Sequence, residues 1–402
     1  MALNAANIGI VGAGIGGLHL GLYLRQHGVA ATLYTDRSAD AVRAGRLLGT
    51  TSLGGDTRER DRALGVAHWD TPDSEVFCIH FDLARPRLRF RGDFARPNLL
   101  VDMRHYLPRL FEAFEARGGR VVVEQVDPTQ LTQLARDHAC LVVASGRAGL
   151  SELFPRIPER SPFREPQRRI LAVLCTGIRP SAPLGLTIQA VPGSGELLDF
   201  PFLREDGRVA SINVQAVPGG PFEPMARMRH GDDPAGFRAA LLALLGAHAP
   251  LTWPRIDPGE FDVLGPSHVL QGGITPTVRR GHAALGDGRF AIALGDAHIT
   301  HDPIGAQGAN AASRAAWILG ELIVARLAAG RSFDAGFHAQ AEQTLWQATR
   351  AATEWSNVLL RPPSQRFLDL LVAASRDQQI ANAYVDNFTD HPERQLDALR
   401  DD

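Results

Sequence analysis

The chain has 402 residues, with 42 basic and 44 acidic side chains for a formal net charge of −2, and all 42 basic residues are arginine. The absence of lysine excludes a Schiff base to pyridoxal phosphate or to a carbonyl substrate, a Walker A phosphate loop and the strand lysine of a kinase. The balanced charge offers no basic stripe for nucleic acid, and no apolar run reaches the ~18 residues needed to cross a bilayer.

In chain order, the polar start Met1–Asn7 predicts no signal peptide. Residues 8–11 form a short apolar strand, and Gly12-Ala13-Gly14-Ile15-Gly16-Gly17 follows it. Leu18, Leu20, Leu22 and Leu24 then carry a helix to His27-Gly28, and a second strand runs over 31–34. This is a βαβ opening. Within it, Gly12 permits the tight turn, Gly14 lets backbone approach a pyrophosphate, and Gly17 lets the helix pack on the strand. The helix N-terminus favours the phosphate charge. A ribose-binding residue is expected where the second strand ends, and Thr35, Asp36 and Arg37 stand there, with Asp36 the acidic candidate.

A helix is expected over 104–117, a strand over 121–123, a helix over 129–137 and a buried strand over 140–144. From 161 to 290, β-branched runs such as 170–176, 196–202 and 208–215 alternate with Pro and Gly. That pattern predicts a mostly antiparallel sheet with one helix near 234–247. A further strand over 290–294 leads into Gly295-Asp296, and residues 309 onward read as helical. Cys78, Cys140 and Cys175 are odd in number and scattered, which predicts no disulfide framework and a reducing, cytoplasmic setting.

Asp296, ending a buried strand, can accept hydrogen bonds from a polyol. The helix that starts after Gly308 can meet a partial negative charge. Gly295, Asp296, Pro303, Gly305, Gly308 and Asn310 fall on the Gly-Asp…Pro-x-x-Gly-x-x-Gly-x-Asn pattern of the flavoprotein monooxygenases of the p-hydroxybenzoate hydroxylase fold. The chain resembles that family. By the same resemblance, Arg104 matches its flavin-contacting arginine, and Arg43-Ala44-Gly45-Arg46 its cofactor loop.

Longer segments sharpen the likeness. Residues 10–27, 256–262, 270–273, 307–321 and 386–395 resemble the oxygenase component of the two-component styrene and indole monooxygenases, and the resemblance runs from residue 8 to about 396. It implies an α/β fold in which a discontinuous Rossmann-like FAD-binding domain (1–75, 96–160, 285–325) carries an inserted, mainly antiparallel substrate domain (76–95, 161–284). A C-terminal helical region (326–402) follows. It also implies FAD, reduced in trans by a separate NADH-dependent reductase. The reduced flavin would react with O₂ to a C4a-peroxyflavin that epoxidises an aryl alkene, and the resemblance allows a homodimer.

The absence of an Asp-Gly pair after the third strand, where Ala144-Ser145-Gly146 stands, agrees with an enzyme that does not reduce its own flavin. The alternative is a single-component NAD(P)H-dependent aromatic hydroxylase. Halogenases of this fold rely on a lysine beside the substrate, which this chain lacks. Leu47 and Leu48 would sit near the flavin ring, and Pro303 and Ile304 on its oxygen-reactive side. His298 is the candidate donor to the reacting oxygen. Gly49 and Leu53 replace an Asn and a His found in styrene-preferring members, which leaves styrene, indole and other aryl alkenes open. His298 and His301 lack a third ligand of matching spacing, so no metal is expected. Arg85, Arg87, Arg89 and Arg91 alternate as on a solvated edge strand.

Overall fold

The computed structural model describes residues 6–146 and 149–400. Two large sheets and two groups of helices account for them. The first sheet has six strands: β1 (Asn7–Val11), β2 (Ala30–Thr35), β6 (Arg120–Val123), β7 (Cys140–Val143), β14 (His282–Gly286) and β15 (Arg289–Ala293). Their order is β14-β15-β7-β1-β2-β6, parallel except for the β14–β15 hairpin. A parallel sheet must be covered on both faces, and the alternation of its strands shows how. Ile8, Ile10, Val142 and Ile292 face α1 (Ile15–Gln26), α4 (Met103–Ala116) and α8 (Gly308–Ala328). Val11, Leu141, Val143 and Ala291 face α5 (Leu131–Asp137) instead.

Helix α1 is buried from Gly16 to Leu24. Its small residues make that possible. A Cβ on Gly21 would press on the Phe114 ring, and Gly320 of α8 leaves room for Tyr23. The one polar side chain in this stretch besides Tyr23 is His19. It is satisfied by Ser313 Oγ at 3.0 Å, Tyr106 OH at 3.2 Å and the Asp61 carboxylate at 3.1 Å, as a buried polar group must be.

The second sheet has eight strands: β3 (Ser52–Leu53), β4 (Glu75–Ala84), β5 (Arg87–Leu100), β8 (Arg169–Cys175), β9 (Gly185–Val191), β10 (Gly195–Arg204), β11 (Gly207–Ala216) and β12 (Val269–Gly273). The order is β12-β8-β11-β10-β9-β4-β5-β3, antiparallel except for β4–β9. Strand β5 runs on to Leu100 to pair with Ser52–Leu53, so this sheet reaches beyond 76–95 on both sides, whereas β14 belongs to the first sheet. A small third sheet pairs β13 (Thr277–Val278) with β16 (Ile299–Thr300).

One face of the second sheet, with Leu171, Val173, Ile212 and Val214, packs on α6 (Glu223–Arg227) and α7 (Pro234–His248). The C-terminal helices α9 (Ala335–Leu359), α10 (Gln365–Ala374), α11 (Gln378–Thr389) and α12 (Pro392–Asp397) follow α8. Trp355, Phe367, Tyr384 and Phe388 from the first three of them pack beside the other face of the sheet. Short helices α2 (Ala39–Arg43) and α3 (Gly55–Ala63) complete the set. The arginines of β5 are partly held by carboxylates, Arg89 by Asp82 and Arg91 by Asp93, each at 2.9 Å.

Candidate active site

Two cavities meet at the carboxyl ends of the first sheet's strands, where open α/β sheets place their ligands. The first, of about 560 Å³, starts at Thr35, Asp36 and Arg37 and runs past Gly12 to Ser145 and Gly146. The second, of about 600 Å³, is a chamber between the 295–308 segment and the inner face of the second sheet. Gly14, Leu48, Leu107, Ala144, Asp296 and Thr300 line both, so the two form one cleft.

The three motif glycines do different work. Gly12 has φ 117°, a conformation other residues rarely adopt, and its N–H donates to Tyr34 O at 2.8 Å. A Cβ on Gly17 would overlap the Gly12 carbonyl oxygen, so this glycine sets the helix-to-turn contact. Gly14 is the opposite case. Its φ of −77° suits any residue, and nothing lies within 4 Å of where its Cβ would stand. The space in front of it belongs to the cleft, at the N-terminus of α1, which no side chain caps. Gly308 repeats this arrangement at the start of the 21-residue α8, where again no side chain caps the helix and no atom faces the glycine. The cleft therefore meets two helix N-termini, both favourable to negative charge.

The expected residues divide into two groups. Gly12, Gly14, Thr35, Asp36, Arg37, Leu48, Asp296, Pro303, Ile304 and Gly308 line the cleft. Asp36 is paired with Arg37 at 3.6 Å. Leu47, Arg43, Arg46, Arg104, Gly305, Asn310 and His298 do not line it. Arg43 is turned toward Asp40 and Glu112, and Arg46 is exposed. Leu47 is packed in the core. Arg104 lies buried against Asp102, with its Nε 3.0 Å from both carboxylate oxygens, and reaches toward the carbonyls of Gly45 and Ser267. It fastens the loop that presents Leu48. Gly305 is closed off by Ser356. Asn310 accepts from Gly54 N and Thr57 Oγ1, and donates to the carbonyls of Ser52 and Ala306. These residues brace the cleft from behind.

Of the two histidines, His301 rather than His298 lines the chamber. Its Nε2 lies 3.2 Å from Thr353 Oγ1. Burial depresses both rings to about 4, so both are neutral at pH 7. Next in the chain, Asp302 accepts from Ile304 N at 3.0 Å and so shapes the Pro303–Gly305 turn. Burial raises its carboxyl to about 6. Among the described residues, no group of three or more His, Cys, Asp or Glu side chains is arranged to hold a metal ion, and no helix is long and apolar enough to cross a membrane.

Sequence reasoning passed over two parts of the chamber. Its roof is the inner face of the second sheet, including Ile170, Leu198, Phe200, Asn213 and Gln215. Its far side is closed by Phe388 and Thr389 at the end of α11, whose carbonyls accept from the Gln307 amide at 2.8 and 3.2 Å. Gly49 lines the chamber, whereas Leu53 is buried in the core of the first sheet.

Comparison with known proteins agrees with this architecture. The family described as "Styrene monooxygenase A putative substrate binding domain" matches residues 146–255. The curated protein Styrene monooxygenase StyA of Pseudomonas sp is 40% identical over 397 residues, covering 97% of this chain and 94% of its own length. Its namesake from Pseudomonas fluorescens is 39% identical with the same coverage. Among solved structures, the flavin-dependent brominase Bmp2 matches with a TM-score of 0.71 at 15% identity over 98% of both chains. The p-nitrophenol 4-monooxygenase PnpA from Pseudomonas putida DLL-E4 matches with a TM-score of 0.63 at 15% identity, over 96% of this chain and 97% of that one. The structural likenesses carry the fold alone; the sequence identity carries the family. With two fifths of its residues shared along nearly its whole length, the chain belongs to the styrene monooxygenase StyA family of flavoprotein monooxygenases.

Proposed function

We propose that the protein is the oxygenase component of a two-component system: it takes reduced FAD from a separate NADH-dependent reductase and epoxidises an aryl alkene. The observation that carries this reading is the single cleft, running from Thr35–Asp36 past Gly14 and Asp296 into a mainly apolar chamber walled by Pro303 and Ile304. The residues fit the cofactor. The open space before Gly14 suits a pyrophosphate at the α1 N-terminus. Asp296, where the two cavities join, would accept from the ribityl hydroxyls. Asp36 would meet the adenosine ribose, and the α8 N-terminus behind Gly308 would face the flavin carbonyls.

Bound reduced FAD would supply the two electrons that split O₂, with one oxygen atom going to the alkene and the other leaving as water. The chain's own residues bind, orient and exclude water. Epoxidation of a neutral alkene removes no proton from it, so the chamber needs no general base, and its histidine, neutral at pH 7, holds no imidazolium proton to give. Leu48, Pro303 and Ile304 keep the reacting region apolar. The chamber roof would hold the aromatic ring.

Purified protein supplied with NADH, FAD and O₂ should consume no NADH. Adding a flavin reductase should give epoxide from styrene and oxidised product from indole when the two compete. Unaided NADH or NADPH oxidation coupled to ring hydroxylation would refute the reading in favour of a single-component hydroxylase.

A further inference from the structure

The cavity that starts at Thr35 has two arginines in its wall among the described residues, Arg37 and Arg279. Their surroundings differ. Arg37 has Asp36 at 3.6 Å. Arg279 has no carboxylate within ion-pair distance among the described residues, and its side chain makes one hydrogen bond there, from Nη1 to Thr300 Oγ1 at 3.3 Å. Its Nε and Nη2 have no partner among the described residues and keep accessible surface on a half-buried side chain.

The backbone explains this placement. Arg279 follows β13, and its N–H donates to His298 O at 2.8 Å, which extends the β13–β16 pairing by one residue. Side chains of successive residues on an extended segment point to opposite sides. Arg280 turns to α9, where Glu342 lies 3.3 Å away, while Arg279 lies along the cleft beside Thr300. A bridge on the other side pairs Arg279 with Arg156, whose guanidinium bonds only the carbonyls of Ser161 and Phe163 and so keeps its full charge. Burial and the Arg156 charge both push the Arg279 pKa down, and Asp296 opposes them from beyond ion-pair distance.

A cation partly withdrawn from water, with a like charge beside it and no counter-ion in contact, is costly. An anion in the cleft removes that cost. Thr300, which Arg279 touches, lines both cavities, as does Gly14 with the open space at the α1 N-terminus. A planar guanidinium with free N–H groups matches phosphate oxygens. With no lysine in the chain, a strong side-chain cation has to be arginine.

We propose that Arg279 is a cofactor-binding residue whose guanidinium takes the diphosphate of FAD, sharing it with the α1 N-terminus. This rests on the cleft being the FAD site of the proposed epoxidase.

Fluorescence titration with oxidised FAD over a range of NaCl concentrations tests it. The parent's FAD affinity should fall as salt rises, because part of it is attraction between a cation and phosphate. Arg279→Met should bind FAD about tenfold more weakly at low salt, with a shallower salt dependence. Arg279→Lys keeps the charge without the planar fork and should recover part of the loss. Arg280→Met, one residue on and turned to Glu342, should bind like the parent. Without FAD, Arg279→Met should melt no lower than the parent, since it also removes the repulsion with Arg156.

Parent-like FAD affinity and salt dependence in Arg279→Met would overturn the proposal. So would an equal loss in Arg280→Met. A lower Tm of unliganded Arg279→Met with the parent's salt dependence would also overturn it, by making the residue a structural one. Turnover with reductase and NADH separates the two readings. A parent that binds FAD through Arg279 but makes no oxidised product from styrene or indole keeps the contact and removes the epoxidase. Epoxide from the parent, with FAD binding unmoved in Arg279→Met, keeps the epoxidase and removes the contact.

Discussion

His301 Nε2 lies 3.2 Å from Thr353 Oγ1, which ties a histidine of the chamber wall to the middle of α9. The ring is held neutral by burial, as is that of His298. Both native rings titrate near 4, whereas their ordinary value is 6.5. Between those values the unfolded chain takes up two protons that the native rings refuse, so stability falls as pH drops through that window. Asp302 works in the other direction. Its native carboxyl titrates at about 6 against an ordinary 3.8, so the folded protein holds one extra proton between those values and is favoured by acid. The histidines outweigh it, two protons to one. Thermal unfolding followed from pH 7 to 4.5 should show a falling Tm, and Asp302→Asn should steepen the fall below pH 6 by about twofold. Superimposable profiles for parent and variant would contradict this balance.

Gly14 and Gly17 belong to one motif but fail differently when changed. A Cβ on Gly17 strikes the Gly12 carbonyl oxygen, which the backbone cannot move without opening the turn. Gly17→Ala should therefore destabilise the folded protein itself, by ~1–3 kcal/mol as for overpacked sites, read as a lower Tm in the absence of FAD. Gly14→Val meets only the open cleft. It should melt like the parent without FAD and lose FAD affinity by tenfold or more. A Gly14→Val protein that binds FAD normally would remove the pyrophosphate from that place.

The glycine-rich turn and the βαβ unit were legible because tight backbone approach and strand–helix periodicity are local properties of the sequence. The residues that match the second motif were legible as a group but not by task. Asn310 and Gly305 look like cofactor contacts in the sequence, yet one is consumed by four hydrogen bonds to neighbouring segments and the other by Ser356. Which partners a side chain meets is fixed by segments distant in the chain, β3 for Asn310 and α9 for Gly305. The same applies to His298 and His301, where adjacency in sequence cannot say which ring faces the cavity. The run over 208–215 reads as a strand of an antiparallel sheet, but the alternation alone does not say that Asn213 and Gln215 would line an internal chamber.

Arg104 and Asp102 form an ion pair with side chains 5% and 0% exposed. Removing one partner of such a pair leaves a buried charge and costs ~3–5 kcal/mol. Arg104→Ala should show that loss in denaturant unfolding, together with weaker FAD binding, because the loop carrying Gly45 to Leu48 loses its anchor. Adding Asp102→Asn to Arg104→Ala should recover a large part of the stability, since the stranded charge is gone. A double variant no more stable than Arg104→Ala would place the cost in lost packing instead.

Asp296 stands where the two halves of the cleft join, beside Gly146, whose Cβ would come within 3.3 Å of the aspartate Cβ. The turn there is set by backbone. Gly295 takes φ 57°, and Thr300 Oγ1 donates to the Asp296 carbonyl oxygen at 3.2 Å. Neither of these two features uses the carboxylate. Asp296→Ala should weaken reduced-FAD binding by ~1–3 kcal/mol, the range for losing a hydrogen-bond acceptor that the ligand uses. Asp296→Asn keeps one acceptor oxygen and should recover part of that loss. Titration of both variants with reduced FAD under anaerobic conditions measures it directly, and parent-like affinity in Asp296→Ala would take the ribityl chain away from this residue.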